Sequence, residues 1–521
     1  MTTDNSRTIA RNSFWYALDA SASTLVILIA SVPVGRVMGP QILGHYIYLL
    51  FLTSIAQRVA NLGIPATACK YMAEYLGRSE YGTAHEVFRV TLRYQMAISG
   101  IITLIGLGLT SFAEDGYRVV AVLVVASMWP SMISYIPAQA NVAAEDLKAN
   151  IPGTFAYLAS YTILVVCSLV FHWGLLGLAT ATLVSRSSEA AARYWSVQRW
   201  IRHYPRNSLG PELSQRMRRF SSQNLMLMAL GLVVWDRSEI LFLKHFCDVR
   251  QVAFYSLAFS ITNQLLMLPR GFSSSIGITM LAQYGRDPGQ LRALLRNATR
   301  YVSLLTVPVF VGTAIVAEPL IRISYGTAYL TVVPVLWIMC ILCIPRALQS
   351  HTESLLQATE NQSFMVKWLV ITACLNVILD MLLIPRLGAP GAATANGIAQ
   401  IIGVVGLLYR AGCIHDMVAQ WRYFAGLWMS AAMMAAAVLP LVRELPSWVG
   451  LPVGIIVGAA VFFAGVRLFN VLNPEDRRRL HGLVGRLPKA MQRMSRRFLI
   501  ICAVSPPGSE SILASTSAVR E

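Results

Sequence analysis

Charge is what this sequence has least of. Asp, Glu, Lys and Arg make up 13% of its 521 residues, about half the share of a soluble domain. With 55% hydrophobic residues, that excludes an ordinary water-soluble globule and leaves an all-α polytopic membrane protein. The net charge of +18 would suit a nucleic-acid binder. It sits instead in short loops between apolar runs, which is the pattern of membrane topology and excludes nucleic acid as a partner. The eight cysteines are scattered, and only Cys340-Ile-Leu-Cys343 has a metal-like spacing. It lies in an apolar run with no second pair, so no metal site is expected and the thiols read as small core residues. No Walker motif, zincin helix or cofactor signature occurs, so no cofactor is expected. No loop on the outer side exceeds about a dozen residues, which leaves an external catalytic domain nowhere to sit. A cleavable leader is also missing. Ala20-Ser21-Ala22 follows only a very short apolar stretch, and the run continues to Val34, so it reads as an uncleaved first span.

What is present is a series of apolar runs. Fourteen spans of about 20 residues are expected near 14–35, 42–64, 90–112, 118–141, 151–171, 174–195, 222–243, 252–277, 301–317, 330–356, 364–384, 390–409, 423–442 and 449–470. With the N-terminus inside, about 30 of the 43 lysines and arginines fall in or beside inside segments and about 7 beside outside ones. Both termini are therefore expected on the inner side. The arginine-rich stretch 198–221 separates two sets of six spans, and a duplication is visible on either side of it. Gly174-Leu-Leu-Gly177-Leu-Ala-Thr-Ala181 matches Gly388-Ala-Pro-Gly391-Ala-Ala-Thr-Ala395, and more faintly His45-Tyr46 matches Phe254-Tyr255. Both matches fall six spans apart, an even shift that preserves orientation and predicts a parallel pseudo-two-fold repeat. The expected organisation is an N-lobe (1–197), a basic cytoplasmic linker (198–221), a C-lobe (222–411), two extra spans (412–472) and a tail (473–521). The tail opens as a basic amphipathic helix suited to the inner membrane face and ends disordered.

The remaining charges are few, and several lie inside spans. A charge near the bilayer midplane costs at least about 2.5–3.5 kcal/mol. Asp236, Arg237 and Glu239 crowd the seventh span, and Asp236 and Glu239 share a helix face. Asp19 lies in the first span, Arg58 and Asn61 in the second, Arg270 in the eighth, Arg346 and Glu353 in the tenth and Asp380 in the eleventh. Arg186 and Glu189 are spaced to pair within one helix and read as a structural lock. Arg270 and Glu353 are also placed where long side chains can snorkel to the interface. Arg58 and Arg237 are deep, and a guanidinium fork suits phosphate or carboxylate.

The stretch Gly35-Arg-Val-Met-Gly-Pro-Gln-Ile-Leu-Gly44-His-Tyr46 resembles the opening of the polysaccharide and oligosaccharide flippases. Asn61-Leu-Gly63-Ile-Pro, Lys70-Tyr-Met-Ala-Glu74-Tyr, Asp236 followed by Val252-Ala-Phe-Tyr255-Ser-Leu-Ala, and the Gly-x-x-Gly-x-Ala-x-Ala repeats are similar to that family too. The Asp236-Arg-Ser-Glu239 cluster is this chain's own departure from the pattern. That family belongs with multidrug/toxin extruders and the lipid II flippase in the multidrug/oligosaccharidyl-lipid/polysaccharide exporter superfamily. The resemblance implies two six-helix lobes around a cavity, and movement of an undecaprenyl-diphosphate-linked oligosaccharide from inner to outer leaflet of a bacterial inner membrane. It implies no enzymatic step. It makes Arg58, Arg237 and Arg270, with Asn61, candidates for holding the substrate. Asp19, Asp236 and Glu239 become candidates for orienting them or for ion coupling, and Arg346, Glu353 and Asp380 stand behind them. Membrane lipid, a polysaccharide polymerase and glycosyltransferases are the implied partners. Three alternatives stay open: a drug/cation antiporter of the same superfamily, a lipid II flippase, and a membrane-embedded polymerase or transferase.

The lysine and arginine bias predicts that a phosphatase reporter fused after Gly210 stays inactive, and that one fused at Trp173 is active. The reverse pattern would overturn the topology.

Overall fold

The computed structural model describes residues 3–472, other than 62, 114, 206, 223–237, 268, 274–275, 277–290, 360 and 415–419, with side chains from Ser31 onward. Among these residues every regular element is helical. Nine helices are long and apolar enough to cross a membrane, or ten if the bent pair Val332–Leu342 and Ile344–Gln357 is one span. The protein is a multi-pass membrane protein, and fourteen spans are compatible with this set. Part of the seventh and eighth spans and the whole tail lie outside the described residues.

The chain divides into two compact units, residues 1–257 with 377–392, and residues 258–376 with 393–521. In the first unit, helix α1 (Thr3–Asn61) is two helices joined at Gly39, whose φ of 77° breaks the helical path just before Pro40. The break falls between the first two expected spans, 14–35 and 42–64. Helices α2 (Ile64–Gly77), α3 (Tyr81–Leu109), α4 (Arg118–Ala126), α5 (Met128–Ala143), α6 (Ile151–Val170) and α7 (Gly174–Ile201) follow. The expected linker is not a plain loop. Helix α7 runs on to Ile201, and residues 211–222 form a further helix, α8. Leu213, Met217 and Phe220 recur at helical spacing. Leu213 and Met217 are buried with Tyr71, Met72, Phe88 and Ile201, and Phe220 packs against that cluster. Each fully buried side chain of this size contributes about 1.5–3 kcal/mol. The unit closes with α9 (Glu239–Phe246) and α10 (Val249–Leu265), the latter shared with the second unit.

The second unit contains α11 (Leu291–Ile315), α12 (Ala317–Ser324), α13 (Val332–Leu342), α14 (Gln349–Ala358), α15 (Gln362–Leu387, whose end joins the first unit), α16 (Ala389–Ile414), α17 (Trp421–Glu444) and α18 (Ser447–Leu468). Leu291, Leu295, Leu355, Leu356 and Leu407 form a buried cluster.

The duplicated glycine motif has the same local structure in both copies. Gly174 and Gly388 have φ of 59° and 62°, a left-handed conformation that disfavours other residues. Three residues on, a methyl group at Gly177 would run into the Ser168 side chain, and one at Gly391 into the Leu383 carbonyl. The first glycine therefore permits the turn, and the second lets the new helix pack against the one it has left. Gly391→Ala is expected to cost about 1–3 kcal/mol, because a backbone carbonyl cannot move aside cheaply. Gly403, where a methyl would make ordinary contact with Thr372 at 3.5 Å, should accept alanine within about 0.5 kcal/mol. Thermal unfolding of the two variants in detergent checks this, and equal melting temperatures would refute it.

Candidate functional site

Most charges in the helices are settled locally. Arg186 reaches Glu189 at 2.9 Å, as its spacing predicted, and Arg193 reaches the same carboxylate at 2.9 Å. Three charges thus form one triad along α7, and the Arg186 guanidinium also lies 4.3 Å from the Tyr157 ring. This is a lock between helices. Asn61 is buried, and its side-chain oxygen accepts a bond from the Gln95 amide at 3.1 Å, so it ties α1 to α3. Arg58 is exposed in the last turn of α1. Asp19 lies within α1 but before the residues whose side chains are described, and Asp236 and Arg237 lie outside the described residues.

The first unit holds two acids in its interior. Glu239 opens α9 and is fully buried, and its carboxylate accepts a bond from the Tyr255 hydroxyl at 2.8 Å. Its place in the first turn of α9 suits a negative charge. Asp380, on α15, is also fully buried, and neither of its carboxylate oxygens has a hydrogen-bond partner among the described residues. The two carboxylates are close enough to feel each other's charge. Two negative charges so near each other are strongly unfavourable away from water. The arrangement is suited to taking up a proton or a small cation.

The second unit holds the opposite charge. The tenth span is broken by 42° between Leu342 and Ile344, where Pro345 follows and lacks the N–H a continuous helix needs. Arg346 lies in the 3₁₀ turn Ile344–Leu348 at the break. Its side chain is buried, with the guanidinium 5.8 Å from the Phe259 ring. Arg270 is partly buried and within electrostatic reach of Arg346. Two like charges held together in a poorly solvated site repel, and an anion relieves the repulsion by accepting from both forks. Broken spans are where transporters expose backbone and side chains to a ligand.

Beside this pair, His351 is fully buried. Its backbone N–H donates to the Ser273 hydroxyl at 3.0 Å, and its Nδ1 lies 2.7 Å from the same oxygen. Its Nε2 lies 3.4 Å from the Thr299 hydroxyl, which donates to the Leu295 carbonyl. A neutral ring protonated on Nε2 satisfies the whole network. Glu353, half-buried, accepts from the Gln349 amide at 2.7 Å.

With this geometry in view, the comparisons are decisive for the family. A family model described as Polysaccharide biosynthesis protein matches residues 33–334. The chain belongs to that family. A model of the lipid II flippase MurJ matches residues 256–457 of the same chain. The probable flippase AglR of Haloferax volcanii is 26% identical over 175 residues, which cover 32% of this chain and 36% of that protein. The probable low-salt glycan biosynthesis flippase Agl15 of the same organism is 22% identical over 189 residues, 35% and 39% of the two chains. The matched stretch is thus well under half the length of either relative. Two solved structures share the fold. The lipid II flippase MurJ in an inward closed conformation superposes with a TM-score of 0.67 at 16% identity, over 87% of this chain and 98% of that one. A multidrug resistance MATE family transporter of the MOP superfamily, inward-facing, gives 0.63 at 16% identity, over 76% and 96%.

In this family member some participants escape sequence reasoning. Tyr255 belongs in sequence to a repeat motif and to a family-like stretch, and nothing in its spacing signals a bond to Glu239. Arg300 was placed just outside the ninth span. It is buried within α11, 4.6 Å from the Tyr423 ring, and its carbonyl accepts from the Tyr423 hydroxyl at 2.6 Å. That joins α11 to α17.

Tyr255→Phe leaves the buried Glu239 carboxylate without that donor and is expected to lower stability by about 1–3 kcal/mol. Asp380→Asn removes a buried charge that has no hydrogen bond to lose, and should leave stability unchanged or raised. Unfolding curves of the two variants in one detergent read the difference, and the opposite order would refute the account of the acidic pair.

Proposed function

We propose that this protein flips an undecaprenyl-diphosphate-linked oligosaccharide from the inner to the outer leaflet of a bacterial inner membrane. The observation that supports this most directly is the Arg270–Arg346 pair at the broken tenth span. Two guanidinium forks in a poorly solvated site match a diphosphate, which offers several acceptor oxygens and at least two negative charges. Family membership and the relatives named as flippases favour the same cargo. Arg58 and Arg237 are proposed to add to the anion-holding set, with Asn61 fixing the helix that bears Arg58. In this reading the protein is a transporter with no catalytic step, both termini are cytoplasmic, and a polymerase and glycosyltransferases work beside it.

Movement against a gradient needs coupling. Glu239 and Asp380 are proposed as the coupling acids, with Tyr255 orienting the first, and Asp19 and Asp236 as further candidates. A proton or small cation entering the pair removes the repulsion between them. Its release to the other side restores that repulsion, so occupancy biases the conformational equilibrium. A drug/cation antiporter is the second reading, and the acidic pair alone would suit it. The arginine pair favours the anionic cargo, because a cationic drug would meet two like charges.

In proteoliposomes carrying a fluorescent diphosphate-linked oligosaccharide, Arg346→Ala should slow flipping about 10–100-fold, the loss expected for a charged hydrogen bond. Asp380→Asn should retain substrate binding but lose the dependence of flipping on an imposed proton or sodium gradient. Flipping by Arg346→Ala at the wild-type rate would reject the arginine pair as the headgroup site. Gradient-independent flipping by the wild type would reject the coupling acids.

A further inference from the structure

Helix α8 presents an exposed basic face that the transport reading does not use. Its apolar side is already satisfied, because Leu213 and Met217 are buried in the first unit's core. The helix therefore does not need to insert its apolar face into lipid. Its outer side exposes Arg216, Arg218 and Arg219, with Glu212 the one acidic residue among residues 211–222 and the Arg216 guanidinium 3.7 Å from the Glu74 carboxylate of α2. Lys70 of α2 stands beside it, its ammonium 3.9 Å from the Phe220 ring. Arg199 and Arg202, at the end of α7, are exposed as well.

Neighbouring exposed residues mark where the apolar belt of this unit ends. Along α3, the exposed side chains pass from Arg93 and Tyr94 to Ile101, Leu104 and Ile105. Along α7 they pass from Val184 to Tyr194 and Trp195, and the Arg199 guanidinium lies 3.8 Å from the Trp195 ring. Exposed aromatic residues next to arginines are the signature of the headgroup layer. Helix α8 follows α7 directly past that level, and α2 precedes α3 on the same side. The basic face is thus placed against the polar surface of one leaflet, where anionic headgroups supply the complementary charge.

We propose that the exposed face of α8, completed by Lys70, Arg199 and Arg202, is a docking site for anionic phospholipid headgroups of the adjacent leaflet. The phosphate groups accept from the arginine forks, while the flanking Trp195 and Tyr194 meet the upper acyl region. The bound lipid holds α8, and through Met217 and Leu213 the α2–α3 pair, at the membrane surface.

The test uses the purified full chain in detergent, with native mass spectrometry reading retained lipid after incubation with equal amounts of phosphatidylglycerol and phosphatidylcholine. Wild type should retain phosphatidylglycerol about tenfold over phosphatidylcholine at low salt, and the preference should fall in 0.5 M salt, a concentration at which charge screening is nearly complete. Arg216→Gln/Arg218→Gln/Arg219→Gln should lose at least fivefold of the preference with an unchanged melting temperature. Glu212→Lys, which leaves the packed side untouched, should strengthen it. The proposal is overturned if wild type shows no preference, or if both variants retain phosphatidylglycerol as wild type does. Displacement of the lipid by an equal concentration of inorganic phosphate would mark a general anion site and also overturn it. So would tighter binding of polyglutamate than of phosphatidylglycerol, which would point to an acidic protein partner.

Discussion

The dominant constraint on this molecule is the price of placing charge where water is scarce. Three solutions occur side by side. Glu189 receives two arginines, so its charge is matched within one helix. His351 lies between two hydroxyls that satisfy both ring nitrogens. Asp380 has no hydrogen bond among the described residues, although it is fully buried. The first two arrangements are complete as they stand and serve packing. The third lacks any hydrogen bond among the described residues, and the Arg270–Arg346 pair adds two like charges within electrostatic reach of each other.

Local pairing explains what the sequence revealed. Arg186 and Glu189 were legible as a pair because helical spacing alone brings them together. The two Gly-x-x-Gly motifs were legible as a repeat, and the structure supplies their cause in one turn and one close approach each. The break at Pro345 follows from the missing N–H, but the reading had treated 330–356 as one continuous span. The bond from Tyr255 to Glu239 and the approach of Asp380 to that acid join separate helices. No periodicity encodes such contacts, because they depend on how the helices pack. In sequence α8 reads as a basic linker on its charge alone. Its Leu213, Met217 and Phe220 spacing was present in the same residues, and burial against α2 turns that weak pattern into a formed helix.

Asn61 has a structural task of its own. Polar groups deep in a membrane helix invite assignment to a substrate, yet Asn61 already accepts from Gln95. Its contribution to a site is to fix the end of α1, where Arg58 is exposed. A buried amide with a protein partner stabilises by about 1 kcal/mol, enough to hold a helix end. The distinction matters when charged residues are compared between relatives, since an arginine can remain in place while the amide that positions it changes.

The two charged sites differ in sign, and that difference bears on coupling. The acids of the first unit are relieved by a proton or cation, and the arginines of the second by an anion. A ligand shifts a conformational equilibrium only by its differential affinity for the two states. An arginine pair alone would bind a diphosphate wherever it was presented and would release it slowly. An acidic pair alone would respond to the ion gradient without reference to cargo. In the proposed mechanism, carriage of an anionic lipid at the expense of a gradient uses both kinds of charge in one chain.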